Sequence, residues 1–265
     1  MLRAARARPR AGFRPVLDEQ HGPYRVRFAQ DERDLQRIFK LRFEVFNVEL
    51  GEGLAESAAS GLDRDPFDRQ CDHLMVEETA TGRAVGTYRL QVGEMALAGQ
   101  GFYSATEFDL ECVPRAVIDD AVELGRACIS KEHRNKKVLY LLWRGLAAYG
   151  LWNGRRYFFG CSSLTSQDQA AGLRAYAQLA RDGHVHPELE VRVLPANTCR
   201  SDGRESEGGE IEIPPLFGTY LRYGAKVCGP PAIDRAFGTI DFLTLLDVAR
   251  VPRRVFMTFA VGLEA

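Results

Sequence analysis

The sequence predicts a three-layer α/β/α sandwich around a mixed sheet. Hairpin-type strands come first, at residues 73–78 and 84–92 about a Thr81-Gly82 turn. An apolar strand over 121–129, a helix and a second apolar strand over 157–161 then form a β-α-β unit. Such a unit needs a parallel pair with its crossover helix on one face of the sheet. A chain of 265 residues, 45% hydrophobic and 27% charged, supports a sizeable core and excludes a disordered or fibrous protein.

Each element follows from its local pattern. Tyr24-Arg25-Val26-Arg27-Phe28 alternates as a strand does. Asp31 caps a helical pattern through Leu35, Ile38, Phe39, Phe43 and Phe46. Residues 49–72 set Glu49, Glu52, Glu56, Asp63, Asp65, Asp68 and Asp72 against only Arg64 and Arg69, an acidic loop of the length that is usually functional or mobile. Residues 102–120 read as a short helix and a loop. Asn135 caps a helix carrying Leu139, Leu142, Trp143 and Leu146, which Asn153-Gly154 ends. A helix over 167–181, a strand over 189–194, a polar loop over 198–210 and a strand over 239–246 complete the series, without internal repeats. The expected division is a flexible basic arm over 1–22 and a single domain over 23–265.

Composition narrows the partners. With 35 basic and 36 acidic side chains the net charge is -1, so no nucleic-acid partner is expected. Six cysteines without a C-x-x-C, in a chain that needs no disulfide staples, suit a reducing cytoplasm. No run of eighteen apolar residues and no secretory h-region is visible, so neither a membrane span nor export is expected. Arg3, Arg6, Arg8, Arg10 and Arg14 precede the first acid, Asp18. This arm is either a solvated tail or a peripheral contact with anionic lipid, worth ~1 kcal/mol per well-placed cation. His184-x-His186 and Cys199 lack a fourth ligand at recognisable spacing, so no metal is expected.

Charged residues also stand where a core would prefer none. Arg42 lies beside Phe43 and Phe46, Arg89 in a strand, and Glu123 and Arg126 in the most apolar strand. Buried charges persist only when paired or used. Two readings stay open: a salt-bridge lattice of Arg42, Arg89, Glu123 and the loop acids that only holds the fold, or a site with Glu123 as base and Arg126 as its partner. Three apart on a regular strand, Glu123 and Arg126 face opposite sides; a bulge would let them converge. His73 follows Asp72 and could relay a proton with that carboxylate as orienter, or serve as a structural histidine bonded to the loop. Over 131–156 the cations Lys131, Arg134, Lys136, Lys137, Arg144, Arg155 and Arg156 face one acid, Glu132, which suits an acidic protein partner. Trp143, Tyr149, Trp152, Phe158 and Phe159 either line a tunnel or are plain core.

The runs Leu41-Arg42-Phe43-Glu44-Val45-Phe46, Asp65-Pro66-Phe67-Asp68, Cys71-Asp72-His73-Leu74, Val85-Gly86-Thr87-Tyr88-Arg89-Leu90 and Glu123-Leu124-Gly125-Arg126 carry a resemblance. In that order they resemble the acyltransferases that make N-acyl amino acids, including ornithine- and glycine-lipid N-acyltransferases, and the related acyl-homoserine-lactone synthases. All are GNAT-like. Leu142-Trp143-Arg144-Gly145-Leu146, Phe159-Gly160-Cys161-Ser162 and the stretch from Gly218 to Gly229 extend the likeness over about residues 24–250. It implies a GNAT-like sandwich with a mostly antiparallel sheet, and transfer of a long acyl group from a phosphopantetheine thioester to the α-amine of an amino acid. It further implies Glu123, Arg126 and His73 as catalytic residues. Arg42, Phe46, Asp65, Asp68, Asp72 and Arg89 would bind the acceptor or close the acidic loop. CoA-using members place a glycine-rich loop where this chain has His133-Arg134-Asn135-Lys136-Lys137-Val138. Acyl carrier protein is therefore expected over CoA as donor, docking on Arg134, Lys136, Lys137 and Arg144, with no permanently bound cofactor. The alternatives are a homoserine-lactone-type signal synthase and a non-catalytic acyl-carrier-binding module.

Overall fold

The computed structural model describes residues 12–200 and 209–263. Its strands are β1 (Asp18–His21), β2 (Tyr24–Phe28), β3 (Asp72–Glu78), β4 (Ala84–Val92), β5 (Ala121–Ile129), β6 (Tyr157–Leu164), β7 (Lys226–Val227), β8 (Ala232–Asp234) and β9 (Thr239–Asp247). The helices are α1 (Glu32–Phe43), α2 (Ser57–Ser60), α3 (Gly93–Ala98), α4 (Arg115–Ile118), α5 (Lys136–Asn153), α6 (Gln169–Arg181), α7 (Pro215–Arg222) and α8 (Arg253–Ala260). One sheet runs β1-β2-β3-β4-β5-β6-β9-β7, with β8 also paired to β9. Of these pairs only β5 and β6 are parallel, as the β-α-β reading requires.

The two faces of the sheet carry different layers. Val138, Leu141, Leu142 and Tyr149 of α5 pack against Leu74, Val76, Tyr88, Leu90 and Val122. Ile38, Phe39 and Leu41 of α1 pack against Met75, Ala84 and Cys128 on the opposite face. Alternation along each strand sorts the residues: Leu74 and Val76 face α5 while Met75 faces α1. The helix caps fall where expected, with Asn135 accepting from the Lys137 and Val138 amides and Gly154 in the left-handed region at φ 62°.

Three boundaries differ from expectation. Asp18–His21 pairs antiparallel with β2, so the arm expected over 1–22 does not extend through these residues; residues 1–11, with Arg3, Arg6, Arg8 and Arg10, lie outside the described residues. Residues 189–194 form no strand but only a bridge between Phe108 and Val193, because the backbone bonds there are isolated: the Leu194 amide donates to the Glu107 carbonyl and the Asp109 amide to the Arg192 carbonyl. The acidic stretch 49–72 is ordered rather than open: α1 continues as a π-helical turn over Glu44–Leu50, and Asp65 and Asp68 form a capping box around Pro66–Gln70.

Two local features open the middle of the sheet. β5 and β6 pair only through Ala121–Tyr157, Val122–Phe158 and Glu123–Phe159, and then separate. Gly160 stands at the parting, where a Cβ would lie 2.1 Å from the Leu124 carbonyl oxygen, so only glycine fits. The β4–β5 register shifts between Thr87 and Arg89, and Arg126 takes φ 48°, left-handed for a non-glycine residue. The aromatic residues weighed as a tunnel divide between layers. Trp143, Tyr149 and Phe158 belong to the α5 side, whereas Phe159 packs edge-on to Phe102 on the other, so they line no common channel.

Candidate active site

The bulge in β5 decides the geometry of the site. The extra residue resets the alternation, so Glu123 and Arg126 share the face that carries Arg89 and Gln91 of β4. Onto this face folds the acidic segment 63–70. Arg42, 0% exposed, donates through Nε to Asp63 at 2.6 Å and through Nη1 and Nη2 to Asp68 at 2.7 and 3.2 Å. Arg89 Nη1 reaches both Asp65 oxygens at 2.6 and 2.7 Å and Asp68 at 3.0 Å. Arg126 donates to Asp65 at 2.9 Å and lies 3.5 Å from Asp63. Its guanidinium is sandwiched between the Phe237 and Tyr103 rings, 4.3 and 4.8 Å from their centroids. Burial raises the Asp65 and Asp68 carboxyls, but the neighbouring guanidiniums outweigh it and hold both below the ordinary carboxylate range.

This arrangement corrects several expected roles. Arg42 is spent on the loop acids, and Asp65 and Asp68 on the arginines; Arg89 binds the same acids through Nη1, while its Nη2 has no hydrogen-bond partner. Phe46 is buried edge-on against Phe237, 5.3 Å between centroids, and closes the same loop. Of the two readings left open by the sequence, the lattice is the one built, but Glu123 is not part of it. Its Oε1 accepts from the Ser104 amide and hydroxyl, both at 2.7 Å, and its Oε2 from the Tyr103 amide and Gln91 Nε2, both at 3.0 Å. Burial pushes the carboxyl up, yet every lone pair is occupied, so Glu123 is not placed to take a proton directly. It anchors the 103–104 segment to β5.

His73 and Asp72 also part company. Adjacent on β3, they face opposite sides: Asp72 accepts from the Tyr149 hydroxyl at 3.0 Å in the α5 layer, while His73 packs edge-on to Phe39 of α1. The His73 Nε2 bonds the Asp68 carbonyl at 3.0 Å, and burial lowers its pKa to about 4. It is a neutral structural histidine, so the Asp72–His73 relay does not exist.

The basic segment is thinner than its sequence suggests. Arg144 is buried and clamps Glu19 of β1 and the Phe259 and Val261 carbonyls of the C-terminal helix, which removes it from any docking surface. Arg155 pairs with Glu94, Arg156 with Asp247 and Arg134 with Glu49. Lys131, Lys136 and Lys137 have no carboxylate partner among the described residues. The first free amides of α5, where a pyrophosphate would sit, are already capped by the Asn135 side chain.

Sequence reasoning missed a second group of acids beside the β5–β6 opening. Glu107, Cys161 and Asp241 bring one ligand atom each within 4.8 Å of the others. Burial is the main cause that raises Glu107 to about 10 and Asp241 to about 6. It likewise raises Glu52 to about 7. Asp241 could have been found by the signal that singled out Arg89, a charge in the middle of an apolar strand; Glu107, in an irregular segment, carries no such signal.

Comparison with known proteins gives a consistent picture. Residues 41–144 match the family model of the acetyltransferase (GNAT) domain. The L-ornithine N(alpha)-acyltransferase of Brucella abortus (strain 2308) is 34% identical over 256 residues, covering 92% of this chain and 90% of that protein. The enzyme of the same name from Agrobacterium fabrum is 34% identical over 245 residues, covering 88% and 84%. Among solved structures, the acyl-homoserine-lactone synthase LasI superposes with a TM-score of 0.49 at 12% identity, covering 91% of this chain and 97% of its own.

Two predictions follow from the state of these buried carboxyls. Replacing Glu123 by Gln leaves at least one of the Tyr103 and Ser104 amides without an acceptor, whichever way the new amide points. The cost is roughly 1–3 kcal/mol, visible as a fall of several degrees in Tm. An unchanged Tm with lost turnover would instead return Glu123 to the role of base. The second concerns pH. Glu52 and Asp241 titrate higher folded than unfolded, so the unfolded chain loses its protons first and stability falls as pH rises from the unfolded values, 4.5 and 3.8, through about 7 and about 6. Asp65 and Asp68, held low, contribute fully above the ordinary carboxylate value of 3.8 and lose that contribution only below it. The substrate-free protein should therefore melt higher at pH 5 than at pH 8, and a rising profile would contradict the assignment.

Proposed function

The chain belongs to the family of the L-ornithine N(alpha)-acyltransferases, and from that premise we propose that it moves a long-chain acyl group from acyl carrier protein to the α-amine of an amino acid. The observation that carries this reading is the near full-length identity to those N-acyltransferases, combined with a sheet that opens between β5 and β6 beside a bulge. In this reading the thioester enters the opening beyond Glu123 and Phe159, where the strands stop pairing. The amine nitrogen attacks the thioester carbonyl, the C–N bond forms, the C–S bond breaks, and the pantetheine sulfur leaves as a thiol.

The residues divide the work as follows. Burial leaves Glu52 poised at about 7, the value suited to a general base near neutrality. Its amide bonds the Phe46 carbonyl, the next amide bonds the Phe237 carbonyl, and its carboxyl hydrogen-bonds Thr165 within reach of the charges of Asp241 and Arg126. Arg126, held by Asp65 and two rings, presents its cation beside the same opening. Glu123 positions the Tyr103–Ser104 wall.

Acyl carrier protein is preferred as donor because Asn135 caps the amides of α5 that a CoA pyrophosphate would use, and because Lys131, Lys136 and Lys137 lack acidic partners at that end of the helix. No helix among the described residues is long and apolar enough to cross a membrane. Peripheral contact fits a lipid product: α8 exposes Arg253 and Arg254 together with Met257, and Val261 follows it on the surface.

Long-chain acyl carrier protein should be the better donor at low salt, and its advantage over the matching acyl-CoA should shrink as ionic strength rises toward a Debye length of about 10 Å at 0.1 M. Reversing Lys136 and Lys137 to Glu should slow the carrier-bound donor far more than a minimal acyl-pantetheine thioester. Product mass spectrometry reads both results. Equal losses with the two donors, or acyl-CoA as the better donor, would reject the carrier assignment, and carrier binding without any N-acyl amino acid would reject catalysis.

A further inference from the structure

The π-helical turn that extends α1 puts apolar side chains where a regular helix would hide them. Over Glu44–Leu50 the Gly51 amide reaches back five residues to the Phe46 carbonyl, and Gly51 ends the turn at φ 68°. Val45 and Phe46 still face the core. On the α-helical period, positions 49 and 50 would follow them inward. The wider turn carries them out instead, and Val48 stands 69% and Leu50 37% exposed. The turn is braced where it stands: the Glu52 amide also bonds the Phe46 carbonyl, the Gly53 amide bonds the Phe237 carbonyl, and Asn47 Nδ2 donates to the Leu54 carbonyl at 3.1 Å.

Between the two apolar residues, Glu49 accepts from Arg134 Nη1 and Nη2 at 2.7 and 2.8 Å. Val48 and Leu50 therefore flank the point where the acidic segment meets the start of α5. The Arg134 amide bonds the Lys131 carbonyl, and Lys136 follows two residues on, so the exposed lysines adjoin the same point. Arg134 neutralises Glu49, which leaves Glu132 as the one acid of the 131–137 segment against Lys131, Lys136 and Lys137. The other large apolar residues exposed among the described residues, Val16, Leu97, Met257 and Val261, lie on neither segment.

Cations steer an acidic partner and fix its orientation, but a lasting contact needs an apolar centre from which water is excluded, with the charges at its rim. Val48 and Leu50 beside unpaired lysines supply both parts for an acidic protein surface that carries apolar residues of its own. An anionic bilayer fits this patch less well, because Glu49 and Glu132 would face its headgroups; α8, with Arg253 and Arg254 and no acid, lacks that conflict.

We propose that Val48 and Leu50 form the apolar half of the docking surface for the acyl-carrier donor, with Lys131, Lys136 and Lys137 as its charged half. The inference rests on the carrier-protein reading above. It adds that the contact is only partly electrostatic, so that salt removes the lysine contribution and leaves the apolar one.

Calorimetric titration of the full chain with palmitoyl-loaded acyl carrier protein tests the surface at about 0.1 M and about 1 M salt, between which the Debye length falls from about 10 to about 3 Å. The double variant Val48→Thr, Leu50→Gln removes the apolar surface without adding charge. It should bind the carrier at least about tenfold more weakly, the loss expected of central interface contacts, and by a similar factor at both salt concentrations. Reversing Lys136 and Lys137 to Glu should weaken binding chiefly at the lower one, and Leu97→Gln, on α3, should bind as the parent protein does. Undiminished affinity of the double variant, or a loss that vanishes at high salt, would overturn the proposal while leaving the carrier as donor. A parent protein that binds no carrier would overturn both the surface and the donor assignment. Parent binding to phosphatidylglycerol vesicles, or self-association, that the double variant abolishes would assign the turn to a membrane or to a second copy and overturn the proposal as well. Both side chains are exposed, so the double variant should keep the parent Tm; if it does not, Val48→Thr alone, at the more exposed position, decides.

Discussion

Everything at the centre of this protein depends on the pairing of Arg42, Arg89 and Arg126 with Asp63, Asp65 and Asp68 beneath a closed loop. A buried guanidinium cannot be left alone, and neither can a buried carboxylate, so three helix and strand residues dictate where the segment 63–70 must lie. That segment sets the floor of the site. The capping box of Asp65 and Asp68 reinforces the choice, since the same carboxylates that meet the arginines also satisfy the amides at the start of Pro66–Gln70. The lattice is electrically neutral and stays formed throughout the physiological range, which makes it a scaffold and not a sensor.

Across Arg126 the polar chemistry changes character. On the lattice side nearly every charge has its opposite; on the side of Glu52, Glu107 and Asp241 buried carboxyls gather without a bound cation, and burial pushes all three toward the protonated form. The bulge in β5 creates this border, because it turns Arg126 onto the face of Glu123 and lets one guanidinium close the lattice while its field reaches those buried acids. β5 and β6 part at Gly160, beside the same border.

Much of the fold was legible in the sequence. Period-two alternation gave β2, β3 and β4, and the Asn135 and Gly154 caps bracketed α5 because both signals are local. The strand expected over 189–194 failed because an apolar run can satisfy its backbone through scattered bonds to Glu107, Asp109 and Cys228 without joining a ladder. The site was half legible. Charges in apolar strands pointed to Arg42, Arg89, Glu123 and Arg126, and the alternation rule named the bulge as the condition for Glu123 and Arg126 to meet. What a sequence cannot show is which of several acids an arginine will choose. That is why Arg144 was assigned to a surface when it is a buried clamp, and why Glu107, brought to Asp241 only by the return of the chain at β9, went unseen. His73 and Asp72 show the limit from the other direction, since neighbours on a strand are the residues least able to cooperate on one face.

The central claim is that the arginine–aspartate lattice is an internal scaffold rather than a binding site for the acceptor. A double-mutant cycle on Arg42→Met and Asp63→Leu, read by urea unfolding, tests it most directly. Each single change should cost roughly 3–5 kcal/mol by stranding a buried charge. The double variant should recover about 1–3 kcal/mol of the summed loss, the range expected for residues in one network. Strictly additive losses, or an Arg42→Met protein that keeps its stability but no longer binds the amino acid, would contradict the account.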